Sequence, residues 1–357
     1  MLTSELDYHL PSGLIAQRPV VPRDHSRLLI YNRSTESREH RRLPDLLSHL
    51  NPGDALVYND SRVLRARVHV VKPTGGKVEL LFLQRRRPGF WEALVRPSAR
   101  LREGITLGLP SAADDPEPSH ETGASHEDLK PGAIFTLKEN LGSGRWLVKN
   151  MTISTTESLL EQIGEMPLPP YIRERPDDPE RYQTVYASEP GSAAAPTAGL
   201  HFTQELIERI RSMGVSLLPL TLHIGLDTFR PVSEDDLGLH VIHSEHYNLP
   251  LDSYEEIVRT KERGGKVVAV GTTAVRVIET VFQEPLGQLE GETRLFITPG
   301  FDFRVTDALL TNFHLPKSTL LALVMAFAGV DEIRSLYAEA VREKYRFFSF
   351  GDAMLLL

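Results

Sequence analysis

Apolar and polar positions divide the chain into three blocks. In the first, 26–31 (SRLLIY) predicts a strand, 43–50 a short helix with Pro44 suited to its first turn, and 55–58 another short strand. From Val63 to about Val148 the apolar runs are short: VLRARVHVV, KVELLFL, FWEALV, AIFTL and RWLV. Glycine, proline and polar residues separate them, and none carries helical spacing. This pattern predicts a small antiparallel barrel or sandwich. Beyond Thr152 helix and strand signals alternate again. Residues 203–213 predict an amphipathic helix, with Thr203 as N-cap, Leu206, Ile207, Ile210 and Met213 on one face, and Gly214 as the stop. Residues 215–224 read as a strand and 252–263 as a helix closed by Gly264 and Gly265. Residues 266–270 (KVVAV) read as a short buried strand that runs at once into Gly271, Thr272, Thr273 and another helix. A strand is expected at 294–298, and the last helices at 318–328 and 331–343. No internal repeat is visible.

The order of these blocks defines the fold class: an α/β main domain with an inserted all-β, antiparallel barrel-like domain. The main domain is expected to be discontinuous, 1–61 and 152–357, with the insert at 62–151. A chain of 357 residues exceeds the usual span of one hydrophobic core, which agrees with two domains. Within the insert, the stretch near 110–131 is acidic and poor in apolar residues, and is expected to be a loop carrying no chemistry.

Composition removes several chemistries. With no cysteine there is no disulfide, thiolate metal site or cysteine nucleophile. The N-terminus shows no basic region followed by an apolar run, so a cytoplasmic location is expected. The most apolar stretch, 320–330, lies between Lys317 and Asp331 and is far shorter than the roughly 20 residues that span a bilayer. A net charge of −8 disfavours indiscriminate binding to nucleic acid. Arginines nevertheless cluster at Arg38, Arg41 and Arg42 and at Arg85, Arg86 and Arg87. Each cluster reads equally as a phosphate-binding face or as solvated surface charge.

Candidate chemistry lies in a few strings. The strand–Gly–Thr–Thr–helix unit at 266–282 offers unpaired N–H groups to an anion or a ribose hydroxyl, with Arg276 one turn on; a plain threonine cap is the simpler reading. The segment 191–203, GSAAAPTAGLHFT, has the small residues that let a backbone approach a ligand closely. His240, His243 and His246 are spaced by three, but no accompanying zinc-site pattern supports a metal, and none is expected. GxSxG, GxGxxG and the P-loop string are absent. Asp60, Glu165, Asp227 and Glu245 are carboxylates in apolar or aromatic settings, where burial raises a pKa and suits proton transfer; for any one of them a structural hydrogen-bond role is the simpler reading.

Taken together these strings resemble the S-adenosylmethionine:tRNA ribosyltransferase-isomerases of queuosine synthesis. The resemblance runs through DYHLPSGLIAQRPVVPRDHSRLLI (7–30), YNDSRVLRAR (58–67), GEMPLPPYI (164–172), RYQTVYA (181–187) and GSAAAPTAGLHFT. It continues through LHIGLDTFRPV (222–232), HSEHY (243–247), VVAVGTTAVRVIE (267–279), TNFHLPKSTLLALV (311–324) and YRFFSFGDAML (345–355). Asp227 stands where that family commonly has glycine, so it receives no role. The resemblance implies that S-adenosylmethionine donates a ribosyl group to 7-aminomethyl-7-deazaguanine at the tRNA wobble position. Epoxyqueuosine-tRNA, adenine and methionine are the products, made by a monomer that needs no metal. Asp60, Glu165, His201 and Glu245 are then the catalytic candidates. Arg62, Thr197, His223, Ser244, Thr272, Thr273, Arg276 and His314 are the candidates for holding S-adenosylmethionine or tRNA. A non-catalytic tRNA-binding module and a metal-dependent nucleoside hydrolase are the rival readings.

Overall fold

The structure is a computed structural model that describes residues 1–110, 132–174, 178–225, 231–283 and 287–357. Asp227 and nearly all of the acidic stretch 110–131 lie outside the described residues. The chain forms two compact units, one of residues 1–62 and 168–357, the other of residues 63–167.

The larger unit is built on a nine-stranded sheet. Its order is Glu290–Thr293, Glu245–Asn248, Ser216–Leu222, Ala55–Asn59, Val267–Val270, Ala308–Asn312, Ala353–Leu356, Arg27–Tyr31 and Arg38–Arg42. The four strands from Ser216–Leu222 to Ala308–Asn312 run parallel. Parallel strands are covered on both faces, so they read as unbroken apolar runs. Val267–Val270 shows this: every residue is buried, Val267 and Ala269 join the core on one face, and Val268 and Val270 join the core on the other. Leu251–Glu262, Thr272–Gln283, Thr319–Ala328 and Val330–Arg342 cover the first face through residues such as Ile257, Ile278, Leu321 and Leu336. Gln204–Ser212 and the short 3-10 turn Leu43–His49 cover the second through Leu206, Ile210 and Leu46. Thr203 and Ser318 cap their helices by accepting from the Leu206 and Leu321 amides, at 3.2 and 3.1 Å. Thr319–Ala328 is buried on most sides, which accounts for its apolar run. No helix among the described residues is long and apolar enough to cross a membrane.

The strands Glu245–Asn248, Ala308–Asn312 and Ala353–Leu356 and the helix Thr156–Ile163 stand outside the sequence reading, and two further elements differ from it. The expected strand at 294–298 is displaced to Glu290–Thr293. The Leu295 amide is taken by Thr293 Oγ1 at 3.1 Å and its carbonyl by Arg276 Nε at 3.1 Å, so neither is left for a ladder. Arg38–Arg42 (REHRR) forms an edge strand that no apolar alternation signalled. Its charges suit an edge, where an apolar face would invite pairing with other chains.

The smaller unit is a closed six-stranded antiparallel barrel in the order Arg145–Asn150, Phe90–Arg96, Lys77–Arg87, Arg67–Val71, Thr106–Gly108 and Ala133–Gly142. Alternate residues fill it: Val68, Val70, Leu80, Phe82, Ala93, Val95, Phe135, Leu137 and Trp146 are buried, with Phe82 and Phe135 ring centroids 5.0 Å apart. The helix Thr156–Ile163 belongs with this unit, so the division falls after Pro167 and not at the 151/152 boundary read from sequence. Its buried Leu159 and Leu160 leave the helix next to Arg67–Val71. Just beyond it, Glu165 and Arg67 exchange backbone hydrogen bonds of 2.7 and 3.2 Å. A Cβ at Gly164 would lie 1.8 Å from the Arg65 carbonyl, so only glycine allows that approach.

Candidate active site

The polar candidates of the larger unit gather at the carboxyl ends of its parallel strands, where open α/β sheets bind ligands. Asp60 follows Asn59, His223 follows Leu222, Gly271–Thr272–Thr273 follow Val270, and His314 lies two residues past Asn312. The segment 188–201 crosses all four ends. The Ser188 amide donates to the Asp60 carbonyl at 2.8 Å and the Ala193 amide to the Ile224 carbonyl at 3.0 Å. Thr197 Oγ1 donates to Asn312 Oδ1 at 3.1 Å, and Ala198 packs over Gly271. Small residues are required for this fit. At Gly191, φ is +144° and a Cβ would come within 2.8 Å of the His223 ring.

Asp60 is the half-buried carboxylate of this edge. Thr221 Oγ1 donates to its Oδ1 at 2.7 Å and Ser188 Oγ to its Oδ2 at 3.0 Å. Burial raises its pKa, and the two hydroxyls oppose that rise. A carboxylate with raised affinity for a proton, still reachable from solvent, is equipped to accept one.

Glu245 and Arg276 form a different arrangement. Arg276 Nη1 pairs with Glu245 Oε2 in the core, while Glu245 Oε1 accepts from the Gly225 amide at 2.9 Å. Arg276 Nε donates to the Leu295 carbonyl, and its Nη2 is buried with no partner among the described residues. Both oxygens of this carboxylate are thus engaged, one by the guanidinium and one by a backbone amide.

His201 and His314 are both buried and neutral. Asn312 Nδ2 donates to the Phe348 carbonyl, which fixes the amide, and donates also to His201 Nε2 at 3.0 Å. His201 Nε2 is therefore the acceptor and the ring proton sits on Nδ1. Burial, with Arg346 and Arg23 adding to it, pushes the His201 pKa down to about 3. Burial alone takes His314 down to about 3, and its Nε2 shares a hydrogen bond with Thr311 Oγ1 at 2.9 Å. Below the ordinary histidine value of 6.5 the unfolded chain takes up protons that the folded chain refuses. The folded state therefore loses stability as pH falls from 6.5 toward 3, and the full contribution is present above 6.5. Each histidine adds a slope approaching ~1.4 kcal/mol per pH unit in that window. His314→Gln is expected to flatten the loss between pH 6.5 and 5 in urea melts; an unchanged slope would show that His314 is protonated in the folded protein.

The other candidates are placed as follows. Arg62 Nη2 lies 3.5 Å from Glu180 Oε2, and Ser244 Oγ donates to Glu292 at 2.6 Å near the surface. Thr272 and Thr273 open their helix, and Thr273 Oγ1 is buried without a partner among the described residues. His223 stacks on His246 with centroids 5.9 Å apart, and burial lowers its pKa. Glu165 belongs to the barrel unit, with His69 Nε2 3.8 Å from its carboxylate. His240 pairs with Glu234 and His246 with Glu290, and among the described residues no His, Cys, Asp or Glu group is placed to hold a metal ion. Asn312, Thr221 and Ser188 were missed in the sequence. Asn312 stood in a quoted string, TNFHLPKSTLLALV, whereas Thr221 looked like one more residue of an apolar strand.

A doubly covered α/β sheet that gathers titratable side chains at its carboxyl edge, in one chain with a closed barrel, is an architecture of enzymes. Residues 3–356 match the family described as queuosine biosynthesis protein, and the chain belongs to it, as its motifs led one to expect. Over 357 residues it is 49% identical to the S-adenosylmethionine:tRNA ribosyltransferase-isomerase of Rubrobacter xylanophilus, covering 100% of this chain and 98% of that protein. It is also similar to a crystal structure of S-adenosylmethionine tRNA ribosyltransferase from Thermotoga maritima, over 99% of this chain and 100% of that one, with 36% identity and a TM-score of 0.56.

Proposed function

We infer that the chain is an S-adenosylmethionine:tRNA ribosyltransferase-isomerase of queuosine synthesis. It moves the ribosyl group of S-adenosylmethionine onto 7-aminomethyl-7-deazaguanine at the wobble position, giving epoxyqueuosine-tRNA, adenine and methionine. Kinship along essentially the whole chain carries this reading. The reaction needs a base for the ribose C5′ proton made acidic by the neighbouring sulfonium, a donor to the departing adenine, and a neutral acceptor amine. Asp60 is assigned as the base. His201, neutral with its proton on Nδ1, serves as a hydrogen-bond donor and not as a proton carrier. Thr197 and Asn312 position it. Glu245 and Arg276 fix the strand edge, and Arg62, His223, Ser244, Thr272, Thr273 and His314 line or support the site. Glu165 stands in the barrel unit and receives no step here. The enzyme works as a cytoplasmic monomer without a metal.

Purified protein, S-adenosylmethionine and tRNA carrying the aminomethyl-deazaguanine base test this directly. Epoxyqueuosine in the digested tRNA, with free adenine and methionine, is the expected result. A methylated base would keep the cosubstrate and overturn the transferred group.

For tRNA, the barrel is the assigned phosphate-binding unit. Arg87 lies 4.2 Å and Lys149 5.9 Å over the Phe90 ring, and Arg86 and Arg145 share the single carboxylate of Glu92. In the other cluster Arg38 pairs with Glu339 at 2.8 Å and Arg41 with Glu39 at 2.9 Å, and Arg42 donates to the His25 carbonyl at 2.8 Å; in the barrel cluster Arg85 lies 3.5 Å from Glu157. Arg87→Gln with Lys149→Gln is expected to reduce the salt slope of tRNA binding by about 1 to 2. Arg38→Gln with Arg41→Gln should leave it unchanged. The reverse pattern would move the contact to the edge strand.

A further inference from the structure

A cavity of about 250 Å³ opens beside the site, between the sheet and the helix Gln204–Ser212. None of the groups assigned above lines it. Leu56, Phe202 and Val270 make its apolar floor, and the Tyr58 and Tyr186 rings, 4.4 Å apart, make an aromatic wall. Protein interiors leave few voids larger than a water molecule, so a hollow of this size in a helix–sheet layer marks a place for a ligand. Its lining suits a planar ring. Aromatic and apolar side chains are what grip a single base on both faces.

The rim decides which base. Gln204 and Arg211 line it, while Glu208, whose Oε1 accepts from both at 3.2 and 2.7 Å, does not. Guanine-like bases present N1–H and amino donors and call for a carboxylate. Adenine presents an amino donor beside an N7 acceptor, and a glutamine amide satisfies both at once. A 7-deazapurine has no N7, so the same amide discriminates against the acceptor base of the tRNA. Gln204 gives up only an exposed hydrogen bond within its own helix to do this.

Asp60 lies two residues beyond Tyr58, just past the end of Ala55–Asn59. Burial, with the Asp60 charge adding to it, keeps both tyrosine hydroxyls protonated and able to donate. A ring seated against the tyrosines therefore has its sugar next to the carboxylate.

We propose that this cavity is the adenine subsite of S-adenosylmethionine, with the ring against Tyr58 and Tyr186 and the Gln204 amide on its N6/N7 edge. The proposal rests on the activity inferred above and orients the cosubstrate with its ribose toward Asp60.

Adenine itself is the probe, titrated by calorimetry into the wild type and two variants at exposed rim positions, Val185→Trp and Gln204→Ala. Val185→Trp, which plugs the mouth, should weaken adenine at least about tenfold and raise the KM for S-adenosylmethionine similarly, with the tRNA Kd unchanged. Gln204→Ala should weaken adenine about fivefold to a hundredfold and remove the preference for adenine over 7-deazaadenine. Melting temperatures report that both variants fold. Failure of adenine to bind the wild type, or equal binding by all three proteins, overturns the proposal. A weakened tRNA Kd in Val185→Trp with adenine binding intact overturns it too and gives the cavity to the acceptor nucleotide. If this adenine pattern holds but the wild type transfers no ribosyl group, the subsite stands and the inferred activity falls.

Discussion

Asp60→Asn is expected to lower kcat by about 10² to 10⁴, the usual contribution of a positioned proton acceptor. Asparagine keeps the size of the side chain. Its Oδ1 still accepts from Thr221, and its Nδ2 donates to Ser188, whose hydroxyl turns from donor to acceptor. Folding and S-adenosylmethionine affinity should therefore be retained while the proton acceptor is lost. The pH profile separates this from a packing effect. Burial raises the Asp60 pKa, so wild-type activity should fall on the acid side as that carboxyl is protonated, at a pH above the ordinary aspartate value of 3.8. The acid limb should be absent from Asp60→Asn. A kcat within about threefold of wild type would remove Asp60 from the chemistry, and a limb surviving in the variant would give the titration to another group.

Glu245→Leu is expected to cost about 3–5 kcal/mol of stability, because it strands a buried guanidinium. Arg276 is 6% exposed, and its remaining partner would be the Leu295 carbonyl. Arg276→Met in the same chain removes the stranded charge, and most of the loss should return, since an apolar pair of similar volume often replaces a buried ion pair at little cost. Urea denaturation of the two single variants and the double variant measures this. If the double variant is stable and active, Glu245 holds the site and takes no proton. If it is stable but inactive to the level of Asp60→Asn, the pair does more than hold the strand edge, and Arg276→Met alone then tells which member carries the loss.

Elements whose signal is local were legible in the sequence. Val267–Val270 announced itself by an unbroken apolar run, and Gln204–Ser212 by its Thr203 cap and the spacing of Leu206, Ile207 and Ile210. The barrel was legible because its alternation fills one closed interior. Elements that depend on distant partners were not. Arg38–Arg42 is a strand only because Arg27–Tyr31 offers it a ladder and Glu339 and Tyr345 receive its side chains. The strand expected at 294–298 failed because Thr293 and Arg276 take the backbone groups it needed. The helix Thr156–Ile163 carries no mark of the unit it joins, so the domain boundary was drawn too early. At the site, Asp60 and His201 stood out by residue type and setting. Thr221 and Ser188, which tune Asp60, did not, because a hydroxyl is chemically silent until the fold aims it.

The backbone pairing of Arg67 with Glu165, and the close passage of Gly164 by the Arg65 carbonyl, have a further consequence. They bring the first and last residues of the barrel unit side by side, so the insert leaves its host chain and returns to it at nearly one point. Topologically it is a decorated turn between Arg62 and Leu168. Such a turn can be lengthened, exchanged or removed without redrawing any strand of the nine-stranded sheet, as loops joined at close ends tolerate. The chain is in this sense modular: its barrel can diversify on a timescale of its own, while the strand order of the sheet that carries Asp60 stays unchanged.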